Sequence, residues 1–330
     1  MTTSPAGRRA VAVALLIPAL IALALWAFAW PAARTAPRDL PLGVAGPAPA
    51  AAQVEERLAG QGDAFEVHRY ADESAARDAI EDRTVYGALV VTGQGPKLLT
   101  ATAAGPAVAQ LLQQAAEQMS ATGARPQTVD VVPAPAGDPR GSGLASSVLP
   151  LALAGIATGA AVSLLGLRGM RAVALLTGTA ALVGVVAAGI AHSWLGVTTG
   201  NWWAVAGVLG LSTLAVAGAV AGLGALLGRP GIGLGSFLVM LLGNPFSGAA
   251  SAPELLPEPV GAIGQWLPPG AGVSLLRSVS FFDGAAAAGP ALTLAWWAAL
   301  GLGAVLLGGA LRDRNRPAAA TADRRPAPVG

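Results

Sequence analysis

Charge is almost missing from the C-terminal part of the chain, and this constrains the fold more than any other feature. Between Gly141 and Leu311 the charged side chains are Arg168, Arg171, Arg229, Glu254, Glu258, Arg277 and Asp283. Uncharged apolar runs of about 18 or more residues read as membrane-spanning helices, because a helix satisfies its own backbone hydrogen bonds where water is absent. Over all 330 residues, 12% are charged and 54% hydrophobic. That is roughly half the charge of an ordinary soluble domain. There is no cysteine, which excludes disulfides, thiol chemistry and cysteine metal sites. No run interleaves basic and aromatic residues, so no nucleic-acid partner is expected.

Six spans are expected, at 10–31, 146–167, 172–194, 203–227, 232–248 and 290–311, the fifth being the shortest. Arg8 and Arg9 precede the first span, and Arg168 and Arg171 lie between the second and third. Arg229 sits in the turn between the fourth and fifth, and Arg312, Arg314 and Arg316 follow the sixth. All four segments fall on one side of a six-span chain, and cytoplasmic flanks collect basic residues. Both termini are therefore expected in the cytoplasm of a bacterium, with residues 32–143 outside its inner membrane. The Arg8-Arg9 pair, the apolar core and "AFAWPAA" also fit a cleaved signal peptide. The apolar run, about 20 residues, exceeds the usual signal core of about 7–15 and favours an uncleaved anchor.

Residues 32–143 mix acids and bases freely, with prolines at the edges. The pattern predicts strands over 40–45, 65–70, 85–91, 97–102 and 128–132, and helices over 50–59, 73–82 and 106–121. The expected fold class is an all-α membrane bundle of six transmembrane helices with an inserted extracytoplasmic α/β domain. Its parts are a cytoplasmic stretch 1–9, an anchor 10–31, the insert 32–143, a five-helix membrane domain 144–311 and a disordered cytoplasmic tail 312–330.

No catalytic constellation is present. His68 is the one histidine of the insert, and no G-x-S-x-G, H-E-x-x-H or phosphate-loop motif occurs. The chain reads as a non-enzyme with no catalytic residue, cofactor or metal. No ionisable residue sits in a span core, where a proton- or ion-coupled carrier usually keeps one. His192 and Asn201 lie among Trp194, Trp202 and Trp203, a group that reads as an interfacial belt. Gly155/Gly159 and Gly218/Gly222 have G-x-x-x-G spacing, which serves either packing within the bundle or a homodimer seam.

The segment "NPFSGAASAPELLPEPVGAIGQWLPPGAG" interrupts this design. Its prolines remove backbone donors, so it cannot cross lipid as one ordinary helix. An outer helical hairpin is expected at about 249–283, with helical pieces over 253–266 and 270–281 and a corner at Pro268-Pro269-Gly270. Glu254, Glu258 and Arg277 are placed to pair within it. The candidate site is this hairpin, shaped by Pro253, Glu254, Pro257, Pro268, Pro269 and Arg277.

The stretch "LLGNPFSGAASAPELLPEPVGAIGQWLPPGAGVSLLRSVSFFDG", with "VYGALVVTGQGPKLLTATA" in the insert, resembles the permease subunits of ABC-2-type exporters and the related phage-infection-protein-like membrane proteins. The order of anchor, outer domain and remaining spans with a late hairpin is similar over nearly the whole chain. The resemblance implies an exporter built from two such subunits in the lipid bilayer and driven by a separate ATPase. The connection "LRGMRA" and the N-terminal segment offer such an ATPase little cytoplasmic surface. The alternative is therefore a non-transporting envelope protein that uses its outer domain for docking.

Overall fold

The computed structural model describes residues 5–119 and 126–314. Helix α1 (Pro5–Ala33) leads into the inserted domain. There the order is β1 (Leu40–Ala45), α2 (Ala48–Ala59), β2 (Phe65–Tyr70), α3 (Glu73–Glu81), β3 (Gly87–Thr92), β4 (Gly95–Thr100), α4 (Pro106–Met119) and β5 (Gln127–Asp130). The sheet order is β2-β1-β3-β4-β5, parallel except for the β3–β4 hairpin. The turn of that hairpin places Thr92 opposite Gly95.

Strand alternation sorts the core onto two faces. Leu40, Leu42 and Val44 join Leu89 and Leu98 under α2 and α4. Ala45, Ala88, Val90 and Leu99 face α3 through Ala76, Ala79 and Ile80. Asp72 caps α3 by accepting from the Ala75 N–H at 2.9 Å, which answers an orphan donor of the first turn. Neither face is closed by the insert alone. Ala252 and Leu255 complete the first, and Phe282 the second.

The membrane part follows as α5 (Ser142–Leu164), α6 (Gly169–Ala188, extended by a π-helical turn to Trp194), α7 (Trp202–Leu227) and α8 (Arg229–Phe237, extended by a π-helical turn to Gly243). Then come α9 (Val260–Gln265), α10 (Pro268–Phe281) and α11 (Ala288–Arg314). Central α7 is buried along most of its length, and α5, α6 and α11 pack around it. Gly155 and Gly159 meet α7 at Val216 and Ala217, while Gly218 and Gly222 meet Gly301 of α11. Both small-residue pairs thus serve packing within the chain. Asn201 caps α7 through the Ala204 N–H at 3.0 Å, and Trp194 and Trp203 are 78% and 73% exposed, as an interfacial belt requires.

The described residues contain five helices long and apolar enough to cross a membrane, where six spans were expected. The expected span 232–248 is instead the helix Arg229–Gly243, nine α-helical and six π-helical residues. At 1.5 Å per residue this is about 22 Å, short of a hydrocarbon core of about 30 Å. The chain turns at Asn244–Pro245 into a short 3₁₀ segment, Pro245–Ser247, which ends the helix before it spans. Of the expected disordered tail 312–330, residues 312–314 instead continue α11, and residues 315–330 lie outside the described residues, as do residues 1–4 and the end of the helix expected over 106–121.

Candidate functional site

Between the short helix and α11 the chain runs through a 3₁₀ turn, Pro253–Leu255, then α9, then α10. This differs in detail from the expected hairpin. Pro268 and Pro269 do not form the corner; they are the first residues of α10, with Leu267 as its N-cap. That position suits proline, because a first-turn N–H has no helical partner and φ is already helical. Both prolines are buried, and Pro269 lies against Gly243. Glycine makes the remaining contacts. A Cβ on Gly261 would overlap the Pro253 backbone, and one on Gly264 would overlap the Phe246 carbonyl.

α7 serves as a ruler for this segment. Gly231 lies against Leu223 and Gly224, Gly235 against Val220, and Val239 beside Val216. Farther along, Gly272 meets Ser212, and Gly200, just before α7, meets the backbone of Val279 and Ser280. The short helix and α10 therefore lie one after the other along α7, with 244–267 as an excursion between them.

That excursion and the following α10 dock onto the inserted domain. The N–H groups of Ala36 and Arg38 donate to the carbonyls of Leu255 and Glu254 at 3.1 and 3.0 Å. The Tyr86 hydroxyl donates to Glu254 Oε2 at 2.7 Å. Arg83 Nη1 donates to the Ser274 carbonyl at 2.9 Å and to the Ser278 hydroxyl, and its guanidinium lies 5.3 Å from the Phe282 ring centre. Arg83 follows α3 at φ 60, a left-handed position usually given to glycine. An arginine held there at a cost of about 1–2 kcal/mol marks a constrained junction. Burial pushes the Tyr86 phenol well above its ordinary range, and the neighbouring Glu254 charge adds to this. Burial also draws the Arg83 guanidinium down from its usual value.

The expected pairing among Glu254, Glu258 and Arg277 is not formed. Glu254 binds Tyr86, Glu258 is exposed, and Arg277, only 5% exposed, donates to the Ala249 carbonyl at 2.8 Å. A buried guanidinium needs hydrogen-bond acceptors, and a backbone carbonyl freed by the broken helix supplies one. Pro257 is buried, and its carbonyl accepts from the Val260 N–H at 2.7 Å at the start of α9. His68 lies on β2, 3.6 Å from Glu66, and His192 Nδ1 is 3.2 Å from the Thr198 carbonyl. Neither joins the junction.

A cavity of about 830 Å³ opens at this junction. The inserted domain contributes Arg83 and Tyr86 to its lining, the excursion Glu254 and Gln265, and α11 Leu292 and Trp296. Tyr86, Arg83 and Gln265 were not singled out by sequence pattern. The one local hint was an arginine directly after a helix where glycine is usual. Among the described residues no cluster of three or more His, Asp or Glu side chains is placed to hold a metal.

A mostly helical bundle with an inserted sheet domain, apolar enough to live in lipid, defines a multi-pass membrane protein. A family model described as ABC-2 family transporter protein matches residues 8–311, and the chain belongs to that family. It is an ABC-2 permease-like membrane protein, a class of non-catalytic transporter subunit. No curated protein and no solved structure matches it.

Proposed function

We propose that the chain is the membrane subunit of an ABC-2-type exporter, driven by a separate ATPase and moving an apolar or amphiphilic substrate. The observation that carries this reading is the junction cavity, which a family member with a charge-poor bundle presents beside its lipid-facing helix α11. Two such chains form the pathway, with the inserted domain outside an inner membrane and both termini in the cytoplasm. The short helix Arg229–Gly243 and the 14-residue α10 together make the sixth crossing. Laid end to end along α7 they rise about 43 Å, enough for a hydrocarbon core of about 30 Å. The hairpin residues Pro253, Glu254, Pro257, Pro268, Pro269 and Arg277 shape that broken crossing and lock it to the inserted domain.

Purification of the full chain from its own membranes tests this. The expected result is a co-purifying nucleotide-binding subunit whose ATP hydrolysis rises on reconstitution with the chain. A chain that never associates with such a subunit, even after cross-linking, removes the powered exporter. An envelope protein captured in its place supports the docking alternative.

A further inference from the structure

The junction cavity has two unlike walls. On the α11 side Leu292 and Trp296 are 70% and 66% exposed, so the wall is continuous with the lipid-facing side of that helix. Trp297 Nε1 donates to the Trp266 carbonyl at 2.8 Å and ties the excursion to α11 at the cavity lining. On the other side stand Arg83 and Glu254. Arg83 uses only Nη1 on the described residues, leaving Nε and Nη2 without a protein acceptor. Glu254 accepts from Tyr86 through Oε2 and leaves Oε1 unused. A guanidinium edge presents a fork of donors that matches an anionic oxygen group, and a free carboxylate oxygen accepts from a hydroxyl. Tryptophan is enriched where a membrane meets water, so the mouth has the chemistry of that interface.

We propose that this cavity binds one amphiphile from the outer leaflet, its acyl chain along Leu292 and Trp296 and its anionic, hydroxyl-bearing headgroup at Arg83 and Glu254. The leaflet assignment rests on the exporter topology given above. The binding itself does not need an ATPase. Gly289 offers a clean block: it lines the cavity, and a Cβ added there meets nothing within 4 Å. Gly289→Phe therefore sets a ring at the cavity lining from an exposed position whose Cβ meets no neighbour.

The test is native mass spectrometry of the detergent-solubilised full chain with phosphatidylglycerol, phosphatidylcholine or free glycerol phosphate. One phosphatidylglycerol per chain is expected to be retained. Arg83→Gln is expected to weaken retention about tenfold, as loss of a charged hydrogen-bond donor should. Gly289→Phe should abolish it, and glycerol phosphate alone should not bind. Retention by Gly289→Phe at the wild-type level would assign the lipid to the general annulus and overturn the site. Equal retention of phosphatidylcholine would overturn the headgroup assignment, and equal binding of glycerol phosphate would make this a soluble-anion site. If Gly289→Phe does not fold, Arg83→Gln and the lipid contrast decide. A chain that retains the lipid but never joins an ATPase loses the exporter reading and keeps the site.

Discussion

The Tyr86–Glu254 hydrogen bond is the point at which the lock between inserted domain and membrane part can be measured. The phenol donates to a carboxylate oxygen at 2.7 Å across 168 residues of sequence. A hydrogen bond to a charged group contributes about 1.5–3 kcal/mol net, and partial exposure to the cavity favours the lower end. Tyr86→Phe leaves the carboxylate without that donor, and Glu254→Gln removes the charge it answers. The coupling energy expected from a double-mutant cycle is about 1–2 kcal/mol, a factor of about 5–30 in an opening equilibrium. Hydrogen exchange at the Ala36 and Arg38 amides reads this opening, since both donate to carbonyls of the docked turn. Each single substitution should speed exchange there, and the double should speed it by less than the sum. Singles that add to within about 0.5 kcal/mol would refute the reasoning, because independent sites behave that way.

Other outcomes follow from the same geometry. Gly264→Ala should destabilise the full chain by about 1–3 kcal/mol or more in thermal unfolding, since the added methyl overlaps the Phe246 carbonyl, which is backbone and cannot step aside. Gly303→Ala, where a Cβ meets nothing within 4 Å, should be neutral or stabilising by about 0.5–1 kcal/mol. Lys97 and Arg77 hydrogen-bond Glu73 and hold its carboxyl below its ordinary 4.5. A depressed carboxyl contributes stability that is full above the unfolded value and lost as pH falls through the folded one. The inserted domain should therefore lose stability as pH falls below 4.5, with Glu73→Gln flattening that slope.

Legibility of the chain divides along physical lines. β1 sits where the apolar run 40–45 places it, and β2 at the expected 65–70, since strand pattern is a local signal. β3 begins at Gly87, not at 85, because the Thr84 and Val85 N–H groups still bond back to the Ala79 carbonyl of α3, while the Tyr86 side chain reaches Glu254. No local pattern encodes a partner so far along the chain. The same limit explains the spans. Hydropathy reads 232–248 as one run, but where the helix stops, and that α10 resumes beside α7, depends on Gly243 meeting Pro269. Pro268-Pro269 resembles a corner by composition, yet proline starts a helix as readily as it ends one. Arg277 was expected to pair with Glu254 and Glu258, and its actual partner, the Ala249 carbonyl, exists only once the helix is broken.

Single cysteines report sidedness cleanly in a chain that has none of its own. Gln94→Cys in the exposed β3–β4 turn and Ala288→Cys at the start of α11 should react with an impermeant maleimide on intact cells. Met170→Cys and Arg229→Cys, at the starts of α6 and α8 at the opposite end of the bundle, should react only after permeabilisation. Labelling of Arg229→Cys and Ala288→Cys from the same side would mean that the short helix and α10 together do not cross the membrane.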